Sequence, residues 1–138
     1  MRYWWSISTL NRVIAGVFGV LLCWSAAMQL NDPDPWGWVV VYATLGCLAV
    51  IAAAWRANVW IALAAMSAVG AWSLTLWPSV FELFLHHPVG DLFTGMSPDR
   101  PYVEEAREAL GLTIGVVAMI HLWLAARSAA INAAAQTN

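Results

Sequence analysis

The sequence predicts an all-α fold: a polytopic membrane bundle of four helices that forms one transmembrane domain over residues 1–138. Hydrophobic residues make up 62% of the chain and charged residues 10%, whereas soluble domains contain roughly 25% charged residues. Four segments are apolar and close to the ~20 residues that a helix needs to cross a ~30 Å hydrocarbon core. A soluble helical bundle is disfavoured because the two middle segments lack a polar face.

The four helices are predicted at residues 11–30, 37–55, 58–77 and 104–126, with a long connection at 78–103. Each helix carries small residues at helical spacing, which let a neighbouring backbone approach closely. They are Ala15, Gly19, Cys23 and Ala27 in the first helix, Gly46, Ala49 and Ala53 beside Tyr42 in the second, Ser67, Gly70 and Ala71 in the third, and Gly111, Gly115 and Ala118 in the fourth. The turn at Arg56 is so short that the second and third helices must form an antiparallel hairpin.

The connection at 78–103 is predicted to contain two parts. Its first part, 80–85, is apolar around Glu82 and is expected to form a short helix on the membrane surface, ending at His86 and His87. Its second part is rich in glycine and proline and is typical of turns. Asp99 followed by Pro101 predicts the start of the fourth helix, as an acidic cap followed by a proline in the first turn.

Charge is distributed unequally between the two ends of the predicted bundle. All eight carboxylates lie at what we call the acidic end, and four of the six arginines lie at the opposite, arginine end. The carboxylates are Asp32, Asp34, Glu82, Asp91, Asp99, Glu104, Glu105 and Glu108, and the four arginines are Arg2, Arg12, Arg56 and Arg127. Because positive residues favour the cytoplasmic side, both termini are predicted to be cytoplasmic, in the inner membrane if the chain is bacterial. The net charge of −2 gives no indication of nucleic-acid binding.

Two polar constellations at the acidic end are candidate sites. The first, residues 29–38, contains Asn31, Asp32 and Asp34 between prolines and can be explained as a turn. The second lies in the first turns of the fourth helix, where the helix dipole also stabilises carboxylates. It comprises Glu104, Glu105, Arg107 and Glu108.

Helical geometry separates Glu104 and Glu108 by about 40° and places both on the face of Gly111, so they are predicted to point into the mouth of the bundle. Arg107 lies on the flank of that face. It is expected to pair with Glu104 or with a carboxylate of the first constellation, Asp32 or Asp34.

A divalent-cation site is one interpretation of this mouth. Its ligands would be Asp32, Asp34, Glu104 and Glu108, because carboxylate oxygens suit Ca²⁺ or Mg²⁺. His86 and His87, if they join the cluster, would shift the preference toward zinc. A neutral, hydrogen-bonded cluster is the competing interpretation, since mutual repulsion raises carboxyl pKa values. A divalent cation is the one cofactor that the sequence suggests.

His121 lies about 24 Å along the fourth helix from Glu105, toward the arginine end. A hydrogen bond to a neighbouring helix is favoured over ligation of a haem.

The chain contains no serine elbow, phosphate loop, Cys-x-x-Cys or His-Glu-x-x-His motif, so the sequence gives no positive support for catalysis.

At the two constellations the chain resembles the transmembrane-protein-220 family, small polytopic membrane proteins. The resemblance rests on residues 31–34 after Gln29, then Trp38 and Tyr42, and on the pattern from Glu104 to Leu112. Ala106 stands where that family is expected to have glycine, and the connection at 78–103 is long for it. The family has no established activity. The resemblance therefore implies the topology and highlights the acidic mouth. A structural polar network is predicted there, formed by Asn31, Trp38, Tyr42, Glu105 and Arg107.

Two functions follow from the sequence. The favoured one is a non-catalytic accessory subunit or packing module, whose partners are the lipid bilayer and other membrane protein subunits. The alternative is a membrane-embedded divalent-metal site that serves hydrolysis or ion handling.

Overall fold

The computed structural model describes residues 4–31, 35–94 and 99–136. Within them, helices α1 (Thr9–Met28), α2 (Pro35–Ala54), α3 (Val59–His86) and α4 (Pro101–Ala135) are each long and apolar enough to cross a membrane. This confirms an all-α fold with four candidate membrane helices. Short 3-10 turns follow α1, at Gln29–Asn31, and α3, at Val89–Phe93.

The third helix is longer than the sequence indicated. It does not end at 77, because α3 continues through Pro78 to His86 in place of a separate surface helix. An interior proline removes one backbone hydrogen bond and costs ~3 kcal/mol. Val80 and Leu83 are buried against Val103 and Ala106 of α4, and burying each such side chain contributes ~1.5–3 kcal/mol. Packing on α4 therefore offsets the energetic cost of Pro78 and allows the helix to continue to His86.

The fourth helix also exceeds its predicted range at both ends, with 35 residues and a length of about 50 Å. It begins at Pro101, and the cap position is held by Arg100 rather than by Asp99, without a side-chain cap hydrogen bond. The predicted proline in the first turn is present. With α3 running to His86, the connection between α3 and α4 shortens to residues 87–100.

The helices pack most extensively as two pairs, α1 with α2 and α3 with α4, and α4 also contacts α1 and α2. The turn between α2 and α3 reverses the chain as predicted. Those two helices make few close backbone approaches, however, and one contact between them is the stacking of Trp38 on Trp72 with ring centroids 4.8 Å apart. Leu22, Leu45, Leu112 and Met119 are fully buried at the centre of the bundle.

Small residues bring α1 and α2 into backbone contact, as their spacing predicted. A Cβ atom on Gly46 would lie 3.0 Å from the Cys23 amide nitrogen and 3.2 Å from the Gly19 carbonyl oxygen. Likewise, a Cβ atom on Gly19 of α1 would lie 3.1 Å from the Val50 amide nitrogen of α2. Such an approach is possible only where both helices lack a side chain at the crossing.

The arginine end contains a small feature that the sequence did not predict. Trp4–Trp5 form a strand, β1, that pairs antiparallel with β2 at Ala57–Asn58, in the turn between α2 and α3. The Trp4 ring stacks on Trp55 with centroids 6.3 Å apart. The N-terminal segment is thereby attached to the turn.

Candidate functional site

At the acidic end, α2 and α4 meet at a buried tyrosine. Tyr42 is 3% exposed, and its hydroxyl oxygen lies 2.1 Å from the position that a Cβ on Gly111 would take. The Glu108 carboxylate is close enough to act on this phenol electrostatically. The Tyr42 ring also lies 6.4 Å from Trp38 between centroids. The structure thus brings together Trp38, Tyr42 and Glu108, with Gly111 leaving room for the hydroxyl.

A hydroxyl contact joins α3 to α4 at Ala109, the residue after Glu108. Ser73 is 3% exposed, and its hydroxyl donates to the Ala109 carbonyl at 3.1 Å. It also lies 3.1 Å from the Thr113 hydroxyl. The sequence interpretation missed Ser73, although it lies three residues after Gly70 on the small-residue face of the third helix and could have been found from that spacing.

The three glutamates of α4 lie in different surroundings. Glu104 is exposed, Glu105 accepts a hydrogen bond from the Ser79 hydroxyl of α3, and Glu108 is half-buried near Tyr42. Although Glu104 and Glu108 lie near the same face, Glu104 is one helical turn nearer the end of the bundle. It is therefore more accessible to water than Glu108.

Arg107 secures the connection between α3 and α4. Its Nε donates to the Leu92 carbonyl at 2.8 Å, and its terminal nitrogen donates to the Thr94 carbonyl. The predicted partners were carboxylates, Glu104 or Asp32 or Asp34, but the partners described here are main-chain oxygens. The 3-10 turn places two carbonyls at the flank of α4, where the planar guanidinium can bind both.

A second polar cluster at the acidic end was not predicted. His87 Nε2 lies 3.4 Å from Glu82 Oε1, and the His87 ring stacks on Tyr102 with centroids 4.1 Å apart. The Tyr102 hydroxyl donates to Asp91 at 3.4 Å, and Asp91 lies 3.8 Å from an Arg100 nitrogen. The cluster joins the end of α3, the 3-10 turn and the start of α4.

The sequence analysis placed Glu82 in a short surface helix and Asp91 in the connection at 78–103, and considered His87 as an additional member of the acidic mouth. The structure places all three in this second cluster, while the neighbouring His86 is exposed. This cluster could be recognised only once α3 was known to reach His86, because that extension places His87 beside the first turn of α4.

Several predicted residues lie outside the described part of the chain: the side chain of Asn31, and both Asp32 and Asp34. Among the described residues, no group of three or more His, Cys, Asp or Glu is arranged to hold a metal ion. The proposed ligand set therefore depends on Asp32 and Asp34 joining Glu104 and Glu108.

Polar side chains at the arginine end bind main-chain groups of neighbouring helices. Arg12 of α1 donates to the Ala53 and Ala54 carbonyls at the end of α2, both at 2.7 Å. His121 Nε2 of α4 lies 3.3 Å from the Asn11 carbonyl of α1. The predicted contact of His121 with a neighbouring helix is confirmed.

Comparison with known proteins gives one family match. The model of a family described as transmembrane family 220, helix, matches residues 21–124, which is more than half of the chain. No curated protein and no solved structure gives a significant match. The matched range includes both constellations of the acidic end.

Proposed function

The chain belongs to transmembrane family 220, and from this premise we propose that it is a non-catalytic accessory subunit, a packing module of a larger membrane complex. The family and the four apolar helices make it an integral membrane protein. The proposal includes a single transmembrane domain with both termini in the cytoplasm. The acidic end is then extracytoplasmic and forms the mouth that contacts the partner.

The use of polar side chains inside the bundle carries this proposal. Arg12 joins α1 to α2, His121 joins α4 to α1, and Ser73 joins α3 to α4, each by binding a main-chain carbonyl. A polar group in apolar surroundings is costly unless it is hydrogen-bonded. These three contacts connect all four helices in their packing order. They support a role in which the chain presents a stable helical surface rather than a reactive group.

The surface offered to a partner is the part of the acidic end that we call the acidic-end patch. It combines exposed apolar side chains of α3 and the following 3-10 turn with exposed carboxylates of α3 and α4 at the same end of the bundle. The members are Phe81, Phe84, Leu85, Phe93, Glu82 and Glu104. Phe93 is 88% exposed. Apolar area with a charged rim is typical of protein interfaces, and the negative charge favours a membrane partner with basic side chains at the same level.

Site-specific photocrosslinking tests this contact in native membranes. With a photoreactive phenylalanine analogue at Phe93, we expect one discrete protein adduct. The adduct should weaken severalfold when Glu104 is changed to glutamine, because the complementary charge is lost. The same analogue at Val20, which is 67% exposed on α1, provides the control and should give lipid adducts only. Equal protein adducts from both positions, or none from Phe93, would count against the patch.

The metal hypothesis is retained as a competing function because Glu108 is half-buried beside Tyr42. In that case Asp32, Asp34, Glu104 and Glu108 bind a divalent cation, while Arg107 holds the connection between α3 and α4. Elemental analysis of the purified protein should then find about one divalent ion per chain, and Glu108→Gln should lose it while Glu82→Gln retains it. Equal metal content in the two variants, or no metal in the unmodified protein, would remove this hypothesis.

A further inference from the structure

A polar groove lies at the arginine end, between the N-terminal segment and the last turns of α4. His121 of α4 lies 3.3 Å from the Asn11 carbonyl in the first turn of α1. From there α4 continues to Ala135, about 21 Å further, so its last turns extend beyond the start of α1. Residues 6–11 run beside this extension and leave an open space of about 400 Å³. That volume lies within the range of about 300–1,000 Å³ that is usual for small-molecule sites.

Neutral polar side chains form both rims of the groove. The N-terminal segment and α4 contribute hydroxyl and carboxamide groups from Ser6, Ser8, Asn11, Ser128, Asn132 and Gln136. Residues 128, 132 and 136 follow at intervals of four, which places them in a row along one face of α4. Within the part of the chain that the structure describes, Ser128 and Asn132 are exposed and form no side-chain hydrogen bond to protein groups. Their donors and acceptors are therefore available to a ligand.

None of the described residues that line the groove is charged. Two arginines adjacent to lining residues in the sequence have other partners. Arg12 donates to carbonyls at the end of α2, and Arg127 lies over the Trp123 ring with its Cζ 5.3 Å from the ring centroid. A phosphate or carboxylate ligand would thus find no opposite charge among the described lining residues. Ligand hydroxyls fit instead, because hydroxyl and carboxamide side chains both donate and accept hydrogen bonds.

The floor of the groove is apolar. It includes Ala125, Ala129 and Ala133, again at intervals of four on α4. A sugar ring has the complementary arrangement, with C–H groups on its face and hydroxyls around its edge. We propose that the groove binds a neutral sugar, with the ring face on these alanines and the ring hydroxyls bonded by the Ser128 and Asn132 side chains. The sugar is free in solution or is the headgroup of a neutral glycolipid, and the recognition chemistry is the same for both.

Native mass spectrometry of the full chain tests the site. The detergent is a polyoxyethylene ether, because maltoside and glucoside detergents carry a sugar themselves. The protein is stripped of lipid and incubated with monoglucosyl diacylglycerol, with diacylglycerol of the same acyl chains, with phosphatidylglycerol, or with maltose. We expect one retained glycolipid or maltose and roughly fivefold weaker retention of the two lipids without sugar.

Competition between the two ligands separates their sources. Displacement of the glycolipid by maltose shows that the sugar alone is sufficient. Retention of the glycolipid that maltose does not reduce shows that the lipid-linked sugar is the ligand. Retention of neither sugar ligand, or of diacylglycerol as strongly as the glycolipid, would overturn the proposal.

Two leucine substitutions provide a matched pair for the floor of the groove. Ala129→Leu fills the floor and should reduce retention about tenfold. Ala130→Leu should leave it unchanged, because Ala130 is the next residue of α4, is also half-buried and is not among the described lining residues. Equal losses in the two variants would contradict the site. Asn132→Ala should weaken retention about two- to tenfold through lost hydrogen bonds, and it decides the question if circular dichroism shows that Ala129→Leu does not fold.

Discussion

Replacing Gly46 with alanine should destabilise the protein by roughly 3 kcal/mol, because it forces α1 and α2 apart. The new Cβ would lie 2.6 Å from the Cys23 sulfur, and it would also crowd the Cys23 amide nitrogen and the Gly19 carbonyl oxygen. The sulfur can rotate away, whereas the two backbone atoms cannot move without shifting α1. Every close contact along the α1–α2 crossing would then weaken.

Unfolding of the purified protein in mixed micelles, followed by tryptophan fluorescence, measures this effect. Gly37→Ala is the matched control, because Gly37 also lies in α2 and a Cβ there meets no atom within 4 Å. Since alanine has the higher helix propensity, Gly37→Ala should be neutral or slightly stabilising. If Gly46→Ala unfolds with the same midpoint as Gly37→Ala, the close α1–α2 contact is wrong.

Gly111→Ala should destabilise the contact between α2 and α4 by roughly 2–3 kcal/mol. The added Cβ would overlap the Tyr42 hydroxyl oxygen at 2.1 Å and come within 3.1 Å of its Cζ atom. A buried phenol ring has little freedom to withdraw, so the ring or α4 must shift. Removing only the hydroxyl, in Tyr42→Phe, relieves the closest of these contacts.

A double-mutant cycle isolates the overlap from other effects. In the Tyr42→Phe background, Gly111→Ala should cost at least ~1 kcal/mol less than in the unmodified protein. Gly70→Ala serves as the control, because its Cβ would meet Val116 at 3.8 Å, an ordinary contact. Additive effects of the Tyr42 and Gly111 substitutions would contradict the close approach of the two residues.

Hydropathy and small-residue spacing predicted the helices and the α1–α2 contact because both depend on local sequence. The end of α3 could not be predicted in this way. Pro78 is a strong local signal against a helix, and it is outweighed by the packing of Val80 and Leu83 on α4. Tertiary packing of this kind is not visible in a single segment of sequence.

The candidate site was also predicted only in part, because some of its contacts depend on tertiary packing. Helical periodicity placed Glu108 and Gly111 on one face of the fourth helix, but the contact of Gly111 with Tyr42 of α2 was not predicted. The partners of Arg107 within the described residues, the Leu92 and Thr94 carbonyls, were not predicted, because main-chain oxygens are not distinguished by residue type. The second cluster around His87 and Tyr102 likewise depended on where α3 ends.

The most direct test of an accessory role is the mass of the protein in its native membrane environment. The chain has a mass of 15.1 kDa. Native mass spectrometry of particles extracted from source membranes in polymer nanodiscs, without cross-linker, should find it with another membrane protein in a fixed ratio. That ratio should fall when Glu104 is changed to glutamine and should persist in Arg127→Gln. A protein found solely as a 15.1 kDa monomer with bound lipid would contradict the proposed function.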